Sequence, residues 1–234
     1  MSPMLAQSYE SQPSIGWLMS EKLDGVRAIW DGEKFISRNG NKFHAPAWFV
    51  ADMPSTPIDG ELFIGRGMFQ KTVGIVRSSS GDWSQIKFHA FDLPTSKLPL
   101  EQRMESLANV VNGFANIVLV EQVKIENEEH LDAFFDGIIS VGGEGVMIRK
   151  PNSFYECKRS KNLLKLKYGY SDEAQVESVG NNSVSVAWNG LKFKLASAFG
   201  ITPKIGEQVT FSYFGLTDKG LPRHAVIDAV RNYE

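Results

Sequence analysis

Lys22 stands two residues before Asp24, with Gly25 next and Arg27 two positions further on, inside an otherwise apolar, strand-like run. The ordinary reading is a solvated lysine at a strand end. The other reading is a nucleophile. Asp24-Gly25 is a turn dipeptide, and a glycine lets the backbone approach a neighbour closely. Two cations and one anion therefore crowd a tight turn. An attacking lysine must first shed its proton, from an ordinary pKa of about 10.4. Neighbouring cations and partial burial both lower that value, so the arrangement suits an activated amine.

Further groups follow in order: Ser37-Arg38-Asn39-Gly40, Asp59-Gly60-Glu61-Leu62, Phe88-His89-Ala90-Phe91-Asp92, Glu144-Gly145-Val146-Met147-Ile148-Arg149-Lys150 and Leu164-Lys165-Leu166-Lys167. Lys165 and Lys167 alternate on an apparent strand, so they share a face. A solvated, charged strand face is the competing account of that pair. Residues 158–167 carry five cations and no acid, a local basic path that includes Lys158 and Arg159. His44, His89, His130 and His224 show no ligand spacing, which argues against a histidine metal site.

The ordered series, beginning with Lys22-Leu23-Asp24-Gly25, resembles the covalent nucleotidyltransferases: ATP-dependent DNA ligases, RNA ligases and mRNA capping enzymes. The resemblance covers roughly residues 18–168. Glu144–Pro151 and Phe69-Gln70 look most like the small ATP-dependent DNA ligases of viruses and bacteria. It implies that Lys22 takes AMP from ATP as a covalent adduct, passes it to the 5′-phosphate of a nick, and that the 3′-hydroxyl then displaces AMP. RNA ligation or capping is the alternative within the family. An inactive core that only binds nucleic acid is the alternative outside it.

On that resemblance Lys165 and Lys167 join Lys22 as catalytic residues. Glu21, Leu23, Arg27, Glu61, Phe91 and Met147 hold the nucleotide, with Glu61 on the ribose and Phe91 stacked on adenine opposite Met147. Core packing is the competing account of Phe91 and Met147, and an exposed turn carboxylate that of Glu61. Arg38, Arg159 and Lys158 take the 5′-phosphate, which suits a guanidinium fork. Asp24 and Glu144 are candidate ligands for Mg²⁺ or Mn²⁺, with simple ion pairs as the alternative. The expected partner is nicked double-stranded DNA, bound by a monomer with no membrane involved. The chain departs from the family at its end, where Pro222-Arg223-His224 and Val230-Arg231 replace an Arg-x-Asp-Lys ending. Glu21 directly precedes the lysine, where some relatives place the acid one position earlier.

Elements must position these groups. Residues 101–112 and 127–140 read as helices, the second capped by Asn127 with acids in its first turn. Val26–Trp30, Lys34–Ser37, Glu61–Ile64, Lys87–Phe91 and Gly145–Arg149 read as strands. From Tyr170 five strand-like runs follow in about 60 residues, with Asn189-Gly190 as a hairpin turn. The expected fold is α+β: an adenylation domain over residues 1–169, with antiparallel sheets and flanking helices, then an all-β barrel of the oligonucleotide-binding kind over residues 170–234. Tyr168–Ser171 reads as the hinge. A short hairpin at Asn181-Asn182 leaves no inserted loop to encircle a duplex.

Bulk properties set the limits. The 234 residues are 42% hydrophobic and 22% charged, ordinary for a globular chain. A net charge of −2 argues against a protein that coats nucleic acid, while leaving room for a local basic path. One cysteine, Cys157, excludes an internal disulfide. Residues 1–14 lack a basic start and an apolar core, so the expected compartment is cytoplasmic, or periplasmic if a leader has been removed.

Overall fold

The computed structural model describes residues 2–167, 169–181, 183–196, 201–217 and 219–231. Tyr168 of the expected hinge and Asn182 of the expected hairpin lie outside them, as does the side chain of Arg231. The chain divides into two compact units, Met1–Glu126 with Met147–Lys165, and Asn127–Val146 with Leu166–Glu234. Among the described residues no helix is long and apolar enough to cross a membrane.

Ten strands come first: β1 (Leu5–Ser8), β2 (Leu18–Lys22), β3 (Val26–Trp30), β4 (Phe35–Ser37), β5 (Ile58–Phe63), β6 (Lys87–Asp92), β7 (Ile117–Leu119), β8 (Val123–Lys124), β9 (Gly145–Arg149) and β10 (Arg159–Lys167). They form two five-stranded sheets, ordered β1-β10-β9-β2-β8 and β4-β3-β5-β6-β7. The sheets are mixed rather than antiparallel as expected. β7 runs parallel to β6, and β1 parallel to β10. The physical reason is connection length. A helix over Leu100–Val111 lies between β6 and β7, and a crossover of that kind returns a strand parallel. β1 and β10 are separated by most of the chain, so no hairpin dictates their direction.

Four helices accompany the strands: α1 (Ala47–Ala51), α2 (Phe69–Arg77), α3 (Leu100–Val111) and α4 (Glu128–Ser140). α3 and α4 match the expected periodicity, and Asn127 caps α4 by accepting from the His130 N–H at 2.7 Å. α1 and α2 escape sequence reading. α1 is one turn long, and α2 carries Thr72, Val73, Gly74, Ile75 and Val76, all poor helix formers. Packing holds α2 instead, since Thr72 and Val76 are buried.

Alternation along β3, β5 and β6 sorts residues onto two faces. Ala28, Trp30, Ile58, Leu62, Phe88 and Ala90 join Phe35, Phe49 and Trp83 in one apolar core. Phe35 meets Phe88 edge-on at 4.9 Å, and Phe49 meets Trp83 at 5.0 Å. The opposite face carries the polar groups. The turn from β2 into β3 lies so close to β5 that a Cβ on Gly25 would stand 2.5 Å from the Leu62 carbonyl oxygen. That close approach explains the glycine after Asp24.

The second unit holds α4 and the strands β11 (Tyr170–Val179), β12 (Ser183–Trp188), β13 (Leu191–Ala196), β14 (Gln208–Tyr213), β15 (Gly215–Leu216), β16 (Pro222–Arg223) and β17 (Val226–Arg231). Five of them pair in a closed ring, β11-β12-β13-β17-β14. The β12–β13 turn is the expected one: Asn189 and Gly190 both take left-handed φ, 46° and 77°, as a two-residue hairpin loop requires. His224 lies between β16 and β17. Its Nε2 sits 3.0 Å from Asp132 Oδ1, its Nδ1 3.6 Å from Asp136 Oδ1, and its ring packs on Phe135. Asp132 and Asp136 are one turn apart on α4, so a single imidazole fastens that helix to the barrel.

Burial would push the His224 pKa down, but its hydrogen bonds to the carboxylates of Asp132 and Asp136, and their charge, outweigh it and raise it. A raised folded-state pKa gives stability that is complete below the unfolded value of about 6.5 and lost as pH climbs through the folded value. The melting temperature should therefore fall as pH rises from 6 to 8, and His224→Gln should flatten that slope. An unchanged slope in the variant would refute the clasp.

Candidate active site

The polar face of β3, β5 and β6 looks across at the other sheet of the first unit, and a cavity of about 290 Å³ lies between them. Arg27, Asp59, Glu61, Phe91 and Asp92 line it from one sheet. Leu5, Ala6, Ser20, Glu21, Lys22, Met147, Arg149, Arg159, Leu163 and Lys165 line it from the other, with Leu23, Arg38, Val120, Gln122 and Tyr155 from connections. Lys22 ends β2 and is half-buried, so its amine is presented to the cavity by a strand rather than a loop. Phe91 and Met147 are also half-buried and line the same space.

Two buried acids hold the cavity together. Asp59, fully buried, receives Arg27 Nε at 2.8 Å and Nη2 at 2.6 Å, and the Tyr155 hydroxyl at 2.6 Å. Arg27 Nη2 also donates to the Met4 carbonyl at 3.0 Å, and the Met4 N–H donates to Tyr155 Oη at 2.9 Å. The guanidinium carbon lies 4.9 Å from the centre of the Phe91 ring. Burial alone would lower the Arg27 pKa, but Asp59 raises it and keeps the cation charged. Burial and the same carboxylate push the Tyr155 phenol up, so it stays a donor.

Asp92 receives Arg103 Nε at 2.7 Å and the Leu93 N–H at 2.8 Å, with Arg149 Nη2 on its second oxygen. Arg149 also donates to the Phe91 carbonyl at 2.7 Å, and Arg103 to the carbonyls of Leu98 and Ser153 at 2.9 and 2.8 Å. Burial would raise the Asp92 pKa, yet Arg149 and Arg103 more than offset it and hold the carboxyl below its ordinary range. Glu21, beside the lysine, is gripped at both oxygens by Arg66 at 2.8 Å.

Comparison with known proteins decides the family. The model of the ATP dependent DNA ligase domain matches residues 3–167, and that of the DNA ligase OB-like domain matches residues 178–231. The chain belongs to the ATP-dependent DNA ligase family. A DNA ligase of Haemophilus influenzae is 36% identical to it, over 95% of this chain and 89% of that one. Among solved structures, a Lig E DNA ligase described as binding DNA with a minimal scaffold is 35% identical, covers 99% of both chains and has a TM-score of 0.70. A Chlorella virus DNA ligase-adenylate is 25% identical, with a TM-score of 0.80 and coverage of 100% and 99%.

In this ligase, most residues anticipated from sequence converge on one cavity: Glu21, Lys22, Leu23, Arg27, Arg38, Glu61, Phe91, Met147, Arg159 and Lys165. Four do not line it. Asp24 sits in the turn after β2, and the exposed Lys158 pairs with Glu156 at 3.3 Å. Glu144 and Lys167 belong to the second unit, where they face each other at 3.7 Å. Sequence reasoning gave no role to Asp59, Asp92, Arg66, Arg103, Arg149 or Tyr155. The available signal was an acid beside apolar strand residues, Asp59 after Ile58 and Asp92 after Phe91, and a fold tolerates a buried acid only when the charge is paired. Asp92→Asn strands two buried guanidinium groups and should destabilise the ligase by about 3–5 kcal/mol in urea unfolding. A loss under about 1 kcal/mol would show that the triad is not holding the cavity wall.

Proposed function

We propose that this chain seals nicks in duplex DNA at the expense of ATP, through an AMP carried on Lys22. The observation that carries this reading is the placement of Lys22 on a cavity that also presents two aromatic rings, two thioethers, four carboxylates and several cations. Lys22 Nζ, once deprotonated, attacks the α-phosphorus of ATP. A nitrogen–phosphorus bond forms, the bond to the β-phosphate breaks, and pyrophosphate leaves. A 5′-phosphate oxygen then displaces the lysine, and the 3′-hydroxyl displaces AMP, losing its proton as the phosphodiester forms. Each step is displacement at phosphorus, so catalysis rests on alignment and on charge opposed to the phosphates.

Phe91 and Met147 form the walls of the purine slot, Glu61 accepts from the ribose, and Glu21 and Leu23 shape the strand end around the nucleotide. Lys165 and Lys167 offset negative charge at the α-phosphate. Arg38, Arg159 and Lys158 take the 5′-phosphate of the nick. Arg27 contributes by fixing Phe91 and Asp59. Asp24 and Glu144 are assigned to a divalent cation, Mg²⁺ or Mn²⁺, which shields phosphate charge when bound. No cluster of three or more metal-binding side chains occurs among the described residues. A hard cation needs only one or two carboxylates beside waters and the substrate's own phosphates. We assign the adenylation domain to residues 1–169 and the barrel to residues 170–234, a division supported by the separate matches of the two family models.

The decisive experiment is label transfer. The protein is first treated with pyrophosphate to discharge bound AMP, then incubated with α-labelled ATP and denatured. Label should stay on the wild-type chain and be absent from Lys22→Ala, and nicked DNA should be sealed in preference to nicked RNA. A wild-type chain without adduct would sink the reading. Because neutralising phosphates releases counterions, three such contacts predict about a 40-fold loss of DNA affinity between roughly 50 and 200 mM salt. Arg38→Ala should reduce the salt slope by about one, with an unaltered slope counting against its phosphate role.

A further inference from the structure

Gln122 immediately precedes β8 and lines the cavity together with Val120, Phe91, Met147 and Lys22. Its Nε2 donates to the Val120 carbonyl at 3.3 Å. Its Oε1 is buried and has no hydrogen-bond partner among the described residues. A buried acceptor left unmatched is costly, and most native ones are satisfied. Here the acceptor belongs to a residue that lines the cavity.

The chain is held on both sides of Gln122, at Val120 and at Val123. The Val120 N–H donates to the Ala90 carbonyl at 2.9 Å, one residue before Phe91. Val123 pairs with Met19 across the sheet, and continuing that antiparallel register sets Gln122 beside Ser20, two residues before Lys22. The amide is thus suspended between the strand that carries the aromatic ring and the strand that carries the lysine.

Resting on the adenylyl-transfer reading above, we infer that Gln122 reads the purine edge, accepting a hydrogen bond from the exocyclic amine of adenine at Oε1, and so selects ATP over GTP. Adenine offers an N6 amine donor beside the N1 acceptor. Guanine offers the O6 acceptor beside an N1–H donor. A carboxamide can match either, depending on which way round it stands. Val120 removes that freedom. With Nε2 committed to the Val120 carbonyl, the oxygen faces the purine. Turning the amide over would set Oε1 against the carbonyl oxygen, acceptor against acceptor. Guanine O6 therefore meets a lone pair, whereas adenine N6 meets its partner.

The test uses purine riboside 5′-triphosphate, which is ATP without the amine, alongside ATP and GTP. The readout is formation of the lysyl-nucleotide on pyrophosphate-treated protein. For the wild type, KM for the analogue should exceed that for ATP by about tenfold or more, with rates at saturation within a few-fold. In Gln122→Met, KM for ATP should rise to the analogue's level, so the ratio falls to about one. Equal use of ATP and analogue by the wild type overturns the inference whatever the variants do. So does a Met variant that keeps the wild-type ratio. Should that variant fail to fold, Gln122→Glu keeps an oxygen acceptor and must still prefer ATP to the analogue; equal use by it also overturns the inference. A wild type that takes no label even from ATP overturns the adenylyl-transfer reading itself, and this inference with it.

Discussion

Two sheets that face each other across a water-accessible slot need something to hold their floor shut, and buried carboxylates do this here. Asp59 belongs to one sheet, and it is met by Arg27 from its own sheet and by Tyr155 from the connection that leads into β10. Asp92, also on the first sheet, is met by Arg149 of the second and Arg103 of α3. Taking such charges out of water costs several kcal/mol per ion, so partial pairing would destabilise the fold. Neither acid is partially paired. Each is engaged at both oxygens, and the guanidinium groups spend remaining donors on the carbonyls of Met4, Phe91, Leu98 and Ser153. Such a network is satisfied in one arrangement of the sheets, so it specifies geometry as much as stability.

That geometry reaches the chemistry through Phe91. The ring lies under the Arg27 guanidinium, while its carbonyl is held by Arg149. Both acids thus converge on the same residue from opposite sides. β3, β5 and β6 build the apolar core with one set of alternating side chains and the cavity wall with the other. A slip of one residue in any of these strands would exchange the two sets. The site and the core therefore share one register.

Much of this was legible in the sequence because it depends on local pattern. The lysine turn, the β3 span, the Asn127 cap and the Asn189-Gly190 hairpin each follow from a few adjacent residues. The missing parts depend on distant ones. Tyr155 finds Asp59 and Arg103 finds Ser153 only once β9 and β10 are laid beside the earlier strands. Nothing near Gln122 hints that its side chain lines the cavity that Lys22 lines. α2 was hidden by its β-branched residues, and the parallel pairs by the absence of any short connection. The basic run at residues 158–167 was visible as charge. Its division was not: Arg159 and Lys165 of β10 line the cavity, whereas Lys158, just before the strand, pairs with Glu156.

Arg27 shows how partner geometry revises a role suggested by residue type. A guanidinium two residues past a turn beside a nucleophile invites assignment to a phosphate. Its Nε and Nη2 edge is already occupied by a buried carboxylate, and its face lies against a ring. Swinging it onto a phosphate would abandon Asp59, fully buried, to Tyr155 alone, at a cost larger than one phosphate contact returns. In the proposed reaction Arg27 is therefore a positioning residue, and the charge opposed to phosphate falls to Arg38, Arg159 and Lys165. Of these, Arg38 and Arg159 are solvent-exposed. Cations that must meet a diffusing polyanion belong at the rim, whereas a cation that must not move belongs beneath the ring it orients.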